Sequence, residues 1–115
     1  MKLEIDLSYL ESMAAGDNDL IKEMIEIFKE QVPEFIKEMR EALTNNDSKA
    51  LSSVAHKAKS SVAIMGITSL SEELKIFESI TSNNERTEEY LTFVNSFISN
   101  TNEAIKLLDN ISAKL

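Results

Sequence analysis

Residues 48–66 read SKALSSVAHKAKSSVAIMG. On a wheel of 100° per residue with His56 at zero, Leu51, Val54, Ala55, Ala58, Val62 and Met65 fall between about 160° and 260°. Six apolar side chains on one face predict an amphipathic helix from about Lys49 to Met65. Asp47 or Ser48 supplies the oxygen that caps its free N–H groups, and Gly66 ends it. His56 points directly away from the apolar face, toward solvent. Its neighbours there are Lys49, Ser52, Ser53, Lys59, Ser60 and Ala63, all small apart from the two lysines, so the imidazole stands above a low collar. Ile64, near 80°, falls at the edge of that collar and is expected to be partly exposed.

The flanking sequence carries the same three-and-four spacing. Asp6 followed by LSYLESMAA and Gly16 reads as a short helix with an acidic cap and a glycine stop. A long helix opens at Asp17-Asn18-Asp19 and runs to about Thr44, with Leu20, Met24, Ile27, Phe28, Phe35, Met39 and Leu43 as its apolar positions. Pro33 lies inside it, removes one hydrogen bond, and should kink or split it. Ser69 and Glu72 have the spacing of a capping box and open SEELKIFESI, which stops near Ser82-Asn83-Asn84. The last helix begins near Arg86 and reaches toward Ala113, with Leu91, Val94, Ile98, Ile105 and Leu108 along one side. One short helix and four longer ones joined by brief polar loops predict an all-α protein. The expected architecture is an up-down four-helix bundle with a short extra N-terminal helix, one domain over residues 1–115.

Composition removes several kinds of chemistry. The chain has no Cys and one His, which excludes thiol catalysis, disulfides, iron–sulfur clusters and zinc sites built from Cys or several imidazoles. Twelve Lys plus Arg against 20 Asp plus Glu give a net charge of −8, which repels nucleic acid. The opening MKLEIDL has no apolar signal core, and no run approaches the roughly 20 apolar residues that span a bilayer. The expectation is a cytoplasmic protein with neither nucleic acid nor membrane as partner. There is no Gly-rich phosphate loop, no G-x-S-x-G and no H-E-x-x-H.

One composition shift is informative. Ser48 to Ser71 contains no Asp or Glu, although the chain carries 20, and the same stretch holds Lys49, Lys57, Lys59 and the only histidine. With no carboxylate in the segment, no metal site is expected beside His56. Lys59, three residues on, is placed to bring an ammonium near anything attached to the ring.

The run AHKAKSSVAIMG, from Ala55 to Gly66, resembles the signature of the histidine-containing phosphotransfer (HPt) domain. That signature is a His, a Lys three residues on, a small residue next, and a Gly near the helix end; here these are His56, Lys59, Ser60 and Gly66. The opening DLSYLESMAAGD, the long second helix with Phe28 before Pro33, and NNDSKAL leading into the His helix fit the family's layout over nearly the whole chain. Ala58 stands where Leu is frequent and Ser60 where Gly is frequent; both are small.

The resemblance implies a phosphorelay intermediate. A receiver domain's phospho-aspartate donates its phosphoryl group to His56, with Nε2 the nitrogen the family implies, and His56 passes it to another receiver's aspartate. A neutral imidazole has the lone pair this attack needs, and an acyl phosphate needs no acid–base triad to leave. Phosphoryl transfer rests on positioning and charge neutralisation, which Lys59 would supply on this side. The chain would use no cofactor of its own; Mg²⁺ is expected on the receiver. Docking is expected over Ser52, Ser53, Lys57, Ser60, Ala63 and Ile64, with Gly66 as the helix-end motif. Partners are response-regulator receivers or a hybrid sensor histidine kinase, and a monomer is expected because the His face must stay open. The chain would be a phosphoryl carrier and not an enzyme, since no nucleotide-binding sequence is present. The residues leave open a non-catalytic helical adaptor that docks on a receiver or kinase through the same surface. A general-base enzyme ranks lower, because no second catalytic group is visible.

Overall fold

The computed structural model describes residues 3–115, so the first two residues of the expected domain lie outside the described ones. Its helices are α1 (Ser8–Met13), α2 (Asn18–Thr44), α3 (Ser48–Ile64), α4 (Thr68–Ser82) and α5 (Tyr90–Ser112), with one 3₁₀ turn, Thr87–Glu89, leading into α5. No strand occurs among the described residues. The bundle measures 42 × 22 × 19 Å. None of its helices is long and apolar enough to cross a membrane, among the described residues.

α2 and α3 begin as their sequences require. The Asp17 carboxylate accepts the backbone N–H of Asp19 at 3.0 Å and of Leu20 at 3.2 Å, and Asp47 accepts that of Ala50 at 3.0 Å. α2 runs unbroken through Pro33, so the expected split does not occur; Pro33 faces solvent.

The buried line of α2 differs from expectation. It is Ile21, Ile25, Phe28, Val32, Phe35, Met39 and Ala42, while Leu20 and Ile27 are exposed and Met24 and Leu43 half-buried. Two apolar stripes lie side by side here. Leu20-Met24-Ile27 runs on into Gln31, Glu34 and Glu38, whereas the Ile21 stripe stays apolar for the whole helix, and burial follows the longer stripe. α5 shows the same correction. Leu91 is 60% exposed, Ile98 and Ile105 are half-buried, and the core positions are Tyr90, Val94, Phe97, Thr101, Ala104 and Leu108. Thr101 enters the core because its hydroxyl donates to the Phe97 carbonyl at 2.7 Å, leaving only its methyl to pack.

The expected capping box does not form. α4 starts at Thr68, so Ser69 is already helical, and its buried hydroxyl has no hydrogen-bond partner. Ile67 sits at the cap position with its side chain in the core, so apolar burial sets this start instead of a capping hydroxyl.

Gly66 ends α3 at φ +71° and has a second duty. The Asp6 N–H donates to its carbonyl at 3.0 Å, and a Cβ here would lie 1.7 Å from the Asp6 carbonyl oxygen. Only glycine lets the segment before α1 cross the end of the His helix this closely.

Candidate functional site

The six side chains expected to face inward from α3, Leu51, Val54, Ala55, Ala58, Val62 and Met65, are all buried. Their burial fixes the rotation of the helix and puts His56 on its outer face, with 64% of its side chain exposed. The collar falls into three groups. Ser53, Ser60 and Ala63 are exposed; Ser52 and Lys59 are half-buried; and Ile64 is half-buried, packed against the edge of the core. The Ser60 hydroxyl donates back to the His56 carbonyl at 3.3 Å, so it lies along the helix instead of reaching outward. Lys57 turns the other way, donating to both oxygens of Glu38 on α2 at 3.0 and 3.1 Å.

The residue that completes the site comes from α4. Glu78 Oε1 lies 2.6 Å from His56 Nδ1, and Lys59 Nζ donates to Glu78 Oε2 at 2.7 Å. One carboxylate thus joins the ring and the ammonium. Its backbone is held as well, because the Glu78 carbonyl accepts from Ser52 Oγ at 3.3 Å and Thr81 Oγ1 at 3.1 Å. The segment around His56 carries no carboxylate of its own, but α4 packs against α3 and delivers one. That carboxylate already has two partners, and no cluster of three or more His, Asp or Glu with metal-binding geometry occurs among the described residues.

The electrostatics follow from this geometry. The Lys59 ammonium, and less strongly the His56 ring, hold the Glu78 carboxyl below the usual glutamate range, against the desolvation of its half-buried position. An ionised carboxylate only accepts hydrogen bonds, so Nδ1 must carry a proton for the 2.6 Å contact to be one. In the neutral ring that leaves the lone pair on Nε2. The arrangement offers an exposed nucleophilic nitrogen, an ammonium one helical turn away, and a carboxylate that fixes the tautomer.

Sequence reasoning missed Glu78. The available signal was its place at the margin of the apolar stripe of α4, one residue after buried Phe77 and four after buried Leu74. Nothing in the sequence says that this margin meets His56, which depends on how α3 and α4 pair.

Comparison with known proteins agrees with the fold. The family model described as Hpt domain matches residues 23–113. No curated protein is similar enough in sequence to count as a relative. Among solved structures, the chain resembles histidine-containing phosphotransfer protein B (HptB) from Pseudomonas aeruginosa PAO1, with a TM-score of 0.87 and 18% identity over 96% of each chain. It also resembles the HPT domain of the Hpt sensor hybrid histidine kinase from Shewanella, with a TM-score of 0.78 and 16% identity over 96% of this chain and 95% of that one. At such identities the structures speak for the fold, and the match over residues 23–113 speaks for the family: the chain belongs to the Hpt domain family, whose role is phosphotransfer in phosphorelays.

Proposed function

We propose that His56 is the phosphoryl acceptor and that Nε2 is the atom that carries the group. The observation that supports this most is the 2.6 Å contact between Nδ1 and Glu78, which leaves Nε2 as the free nitrogen of an outward-facing ring. In the accepting half, the Nε2 lone pair attacks phosphorus of a receiver's phospho-aspartate. The P–O bond breaks, its electron pair stays on the aspartate oxygen, and the Nδ1 proton stays where it is. The donating half is the reverse, toward another receiver's aspartate. Lys59 spends one of its three N–H donors on Glu78, and the others are available to phosphoryl oxygens. The chain acts as a carrier without turnover of its own, as a monomer whose His face is open.

The receiver docks over Ser52, Ser53, Lys57, Ser60, Ala63 and Ile64, where the low collar lets a recessed aspartate reach the ring. It brings its own Mg²⁺, because the one carboxylate at His56 is already committed to two hydrogen bonds.

The test is incubation with a phosphorylated receiver, following acid-labile, alkali-stable phosphate on wild type and on His56→Gln. Phosphate on wild type alone is expected, with His56→Gln keeping its helical circular dichroism because the ring faces solvent. No phosphate on either, across receivers that do bind, would overturn the carrier reading in favour of a docking adaptor. Lys59→Ala should slow transfer severely with receiver affinity only modestly weakened, and a wild-type transfer rate would remove Lys59 from the reaction. Ser60→Glu should obstruct docking, and unchanged affinity would take Ser60 out of the interface.

A further inference from the structure

Resting on the role of His56 given above, we propose that the Ser53 hydroxyl donates a hydrogen bond to the phosphoryl group on Nε2, so that Ser53 and Lys59 hold it from opposite sides. At 100° per residue, Ser53 stands about 60° from His56 on one side of α3 and Lys59 about 60° on the other. Each is three residues from His56, the spacing at which helical side chains are neighbours. The Lys59 side faces α4, whose Glu78 accepts from both Lys59 Nζ and His56 Nδ1. The Ser53 side faces α2, whose Glu38 accepts from Lys57. In imidazole, Nδ1 and Cδ2 flank Cγ, and Nε2 is bonded to Cδ2. A ring that turns Nδ1 to α4 therefore turns the edge ending in Nε2 to the Ser53 side. Helical side chains also lean toward the N-terminus of their helix, which brings the ring over the turn that holds Ser53.

The hydroxyl is free for that contact. Other helical hydroxyls of the chain turn back onto the carbonyl four residues before them: Ser60 onto His56, Thr44 onto Arg40, Thr81 onto Phe77 and Thr101 onto Phe97. Ser52 gives its hydrogen to the Glu78 carbonyl. Ser53 is exposed, and its hydroxyl makes no hydrogen bond among the described residues. A phosphoryl oxygen would displace only water from it. The charges on this side also admit the group, because Glu38 is already bound to Lys57 through both oxygens. In an in-line transfer the three equatorial oxygens of the phosphoryl group lie around the N–P axis. Lys59 takes one of them, Ser53 takes a second, and the third is left to the receiver.

The experiment compares wild type with Ser53→Ala, which keeps the collar low and suits an exposed helix position. Both proteins are phosphorylated with phosphoramidate, a small-molecule donor that needs no receiver. Each is then mixed with a receiver until the phosphoryl group stops redistributing, and the four species give an equilibrium constant. Contacts made only in the docked complex change both directions of transfer alike and cancel from that constant. A contact to the phosphoryl group of the free chain does not cancel. We expect Ser53→Ala to move the constant toward the phosphorylated receiver by about three- to ten-fold, the worth of one net hydrogen bond. Equal constants for the two proteins would overturn the proposal, even if Ser53→Ala slowed transfer in both directions, which is what a docking role alone gives. If phosphoramidate labels His56 but no receiver exchanges the group, the carrier reading fails and the role of Ser53 is still decided. The exchange is then run against ammonia, which takes the phosphoryl group from Nε2 to re-form phosphoramidate. There Ser53→Ala should lower the ratio of phosphorylated to free chain by the same factor, and an equal ratio would again overturn the proposal.

Discussion

Gly16 and Gly66 adopt nearly the same left-handed backbone, φ +78° and +71°, but differ in what a side chain would meet. At Gly16 nothing lies within 4 Å of an added Cβ; at Gly66 the Asp6 carbonyl oxygen would be 1.7 Å away and its carbon 2.5 Å. Gly16→Ala therefore carries only the left-handed cost of a Cβ, about 1–2 kcal/mol. Gly66→Ala carries that cost and must also displace the Asp6 backbone. Displacement breaks the Asp6 N–H bond to the Gly66 carbonyl, roughly 0.5–1.5 kcal/mol more. It further loosens Leu3, Ile5 and Leu7, which pack half-buried against the core. Loss of unfolded-chain entropy is common to both substitutions and cancels in the comparison. Urea unfolding of the two variants, read as the difference in midpoint at equal slope, should show Gly66→Ala less stable by about 1 kcal/mol or more. If Gly16→Ala costs as much as Gly66→Ala, the close crossing of the N-terminal segment over the end of α3 does not contribute, and this account of the family's glycine is wrong.

Ala15 stands at φ +51° without being glycine, so Ala15→Gly should stabilise by about 0.5–1 kcal/mol, the relieved strain exceeding the added chain entropy; a destabilised variant in urea would contradict this. The Lys57–Glu38 pair is about half exposed on both sides (52% and 44%), so Lys57→Ala should lower stability by less than about 1 kcal/mol, and a larger drop in urea midpoint would mean the pair does more than its exposure allows. The Glu78 carboxyl is held below its ordinary range by folding, so its contribution is full above the ordinary glutamate pKa of about 4.3 and fades as pH falls through the lower folded value. The stability gap between wild type and Glu78→Gln should accordingly shrink on acidification, and a gap independent of pH would refute the linkage.

The His helix was legible to the residue because its two faces differ sharply. Six apolar positions within a 100° arc leave one possible rotation, and burial of all six bears it out. α2 and α5 were legible as helices but not in rotation. Each carries apolar residues on two adjacent stripes, and the choice between them depends on neighbours that local spacing does not specify. Leu91 shows this most clearly: it is larger and more apolar than Thr101 or Ala104, yet it is exposed while they are buried. Ser69 and Glu72 matched a capping pattern that the helix ignores, because burial of Ile67 fixes the start of α4 nearby. Of the site, His56 and Lys59 were readable because both lie on one helix. Glu78, 22 residues from His56, was one acid among 20 until the pairing of α3 with α4 singled it out.

That pairing is set by the core, which ties the chemistry of the site to packing beneath it. Phe77 lies edge-to-face with Tyr90 at 5.9 Å and stacks on Phe93 at 5.0 Å, fixing α4 against α5 directly under Glu78. On the other side, the hydroxyls of Ser48 and Ser52 donate to the carbonyls of Thr81 and Glu78, which aligns α3 with α4 one turn at a time. The ring is thus held between a helix rotated by its own apolar face and a carboxylate placed by an aromatic cluster. The charge balance follows from the same placement. Glu78 is matched by Lys59 and Glu38 by Lys57, so the carboxylate in contact with His56 and the one that reaches α3 from α2 are each paired with a lysine of α3. A chain of net charge −8 thus carries, beside its exposed histidine, a carboxylate already paired with a lysine. Between Ser48 and Ser71 the chain adds no carboxylate of its own, so on the proposed reading a phosphoryl group arriving at His56 meets no acid from α3.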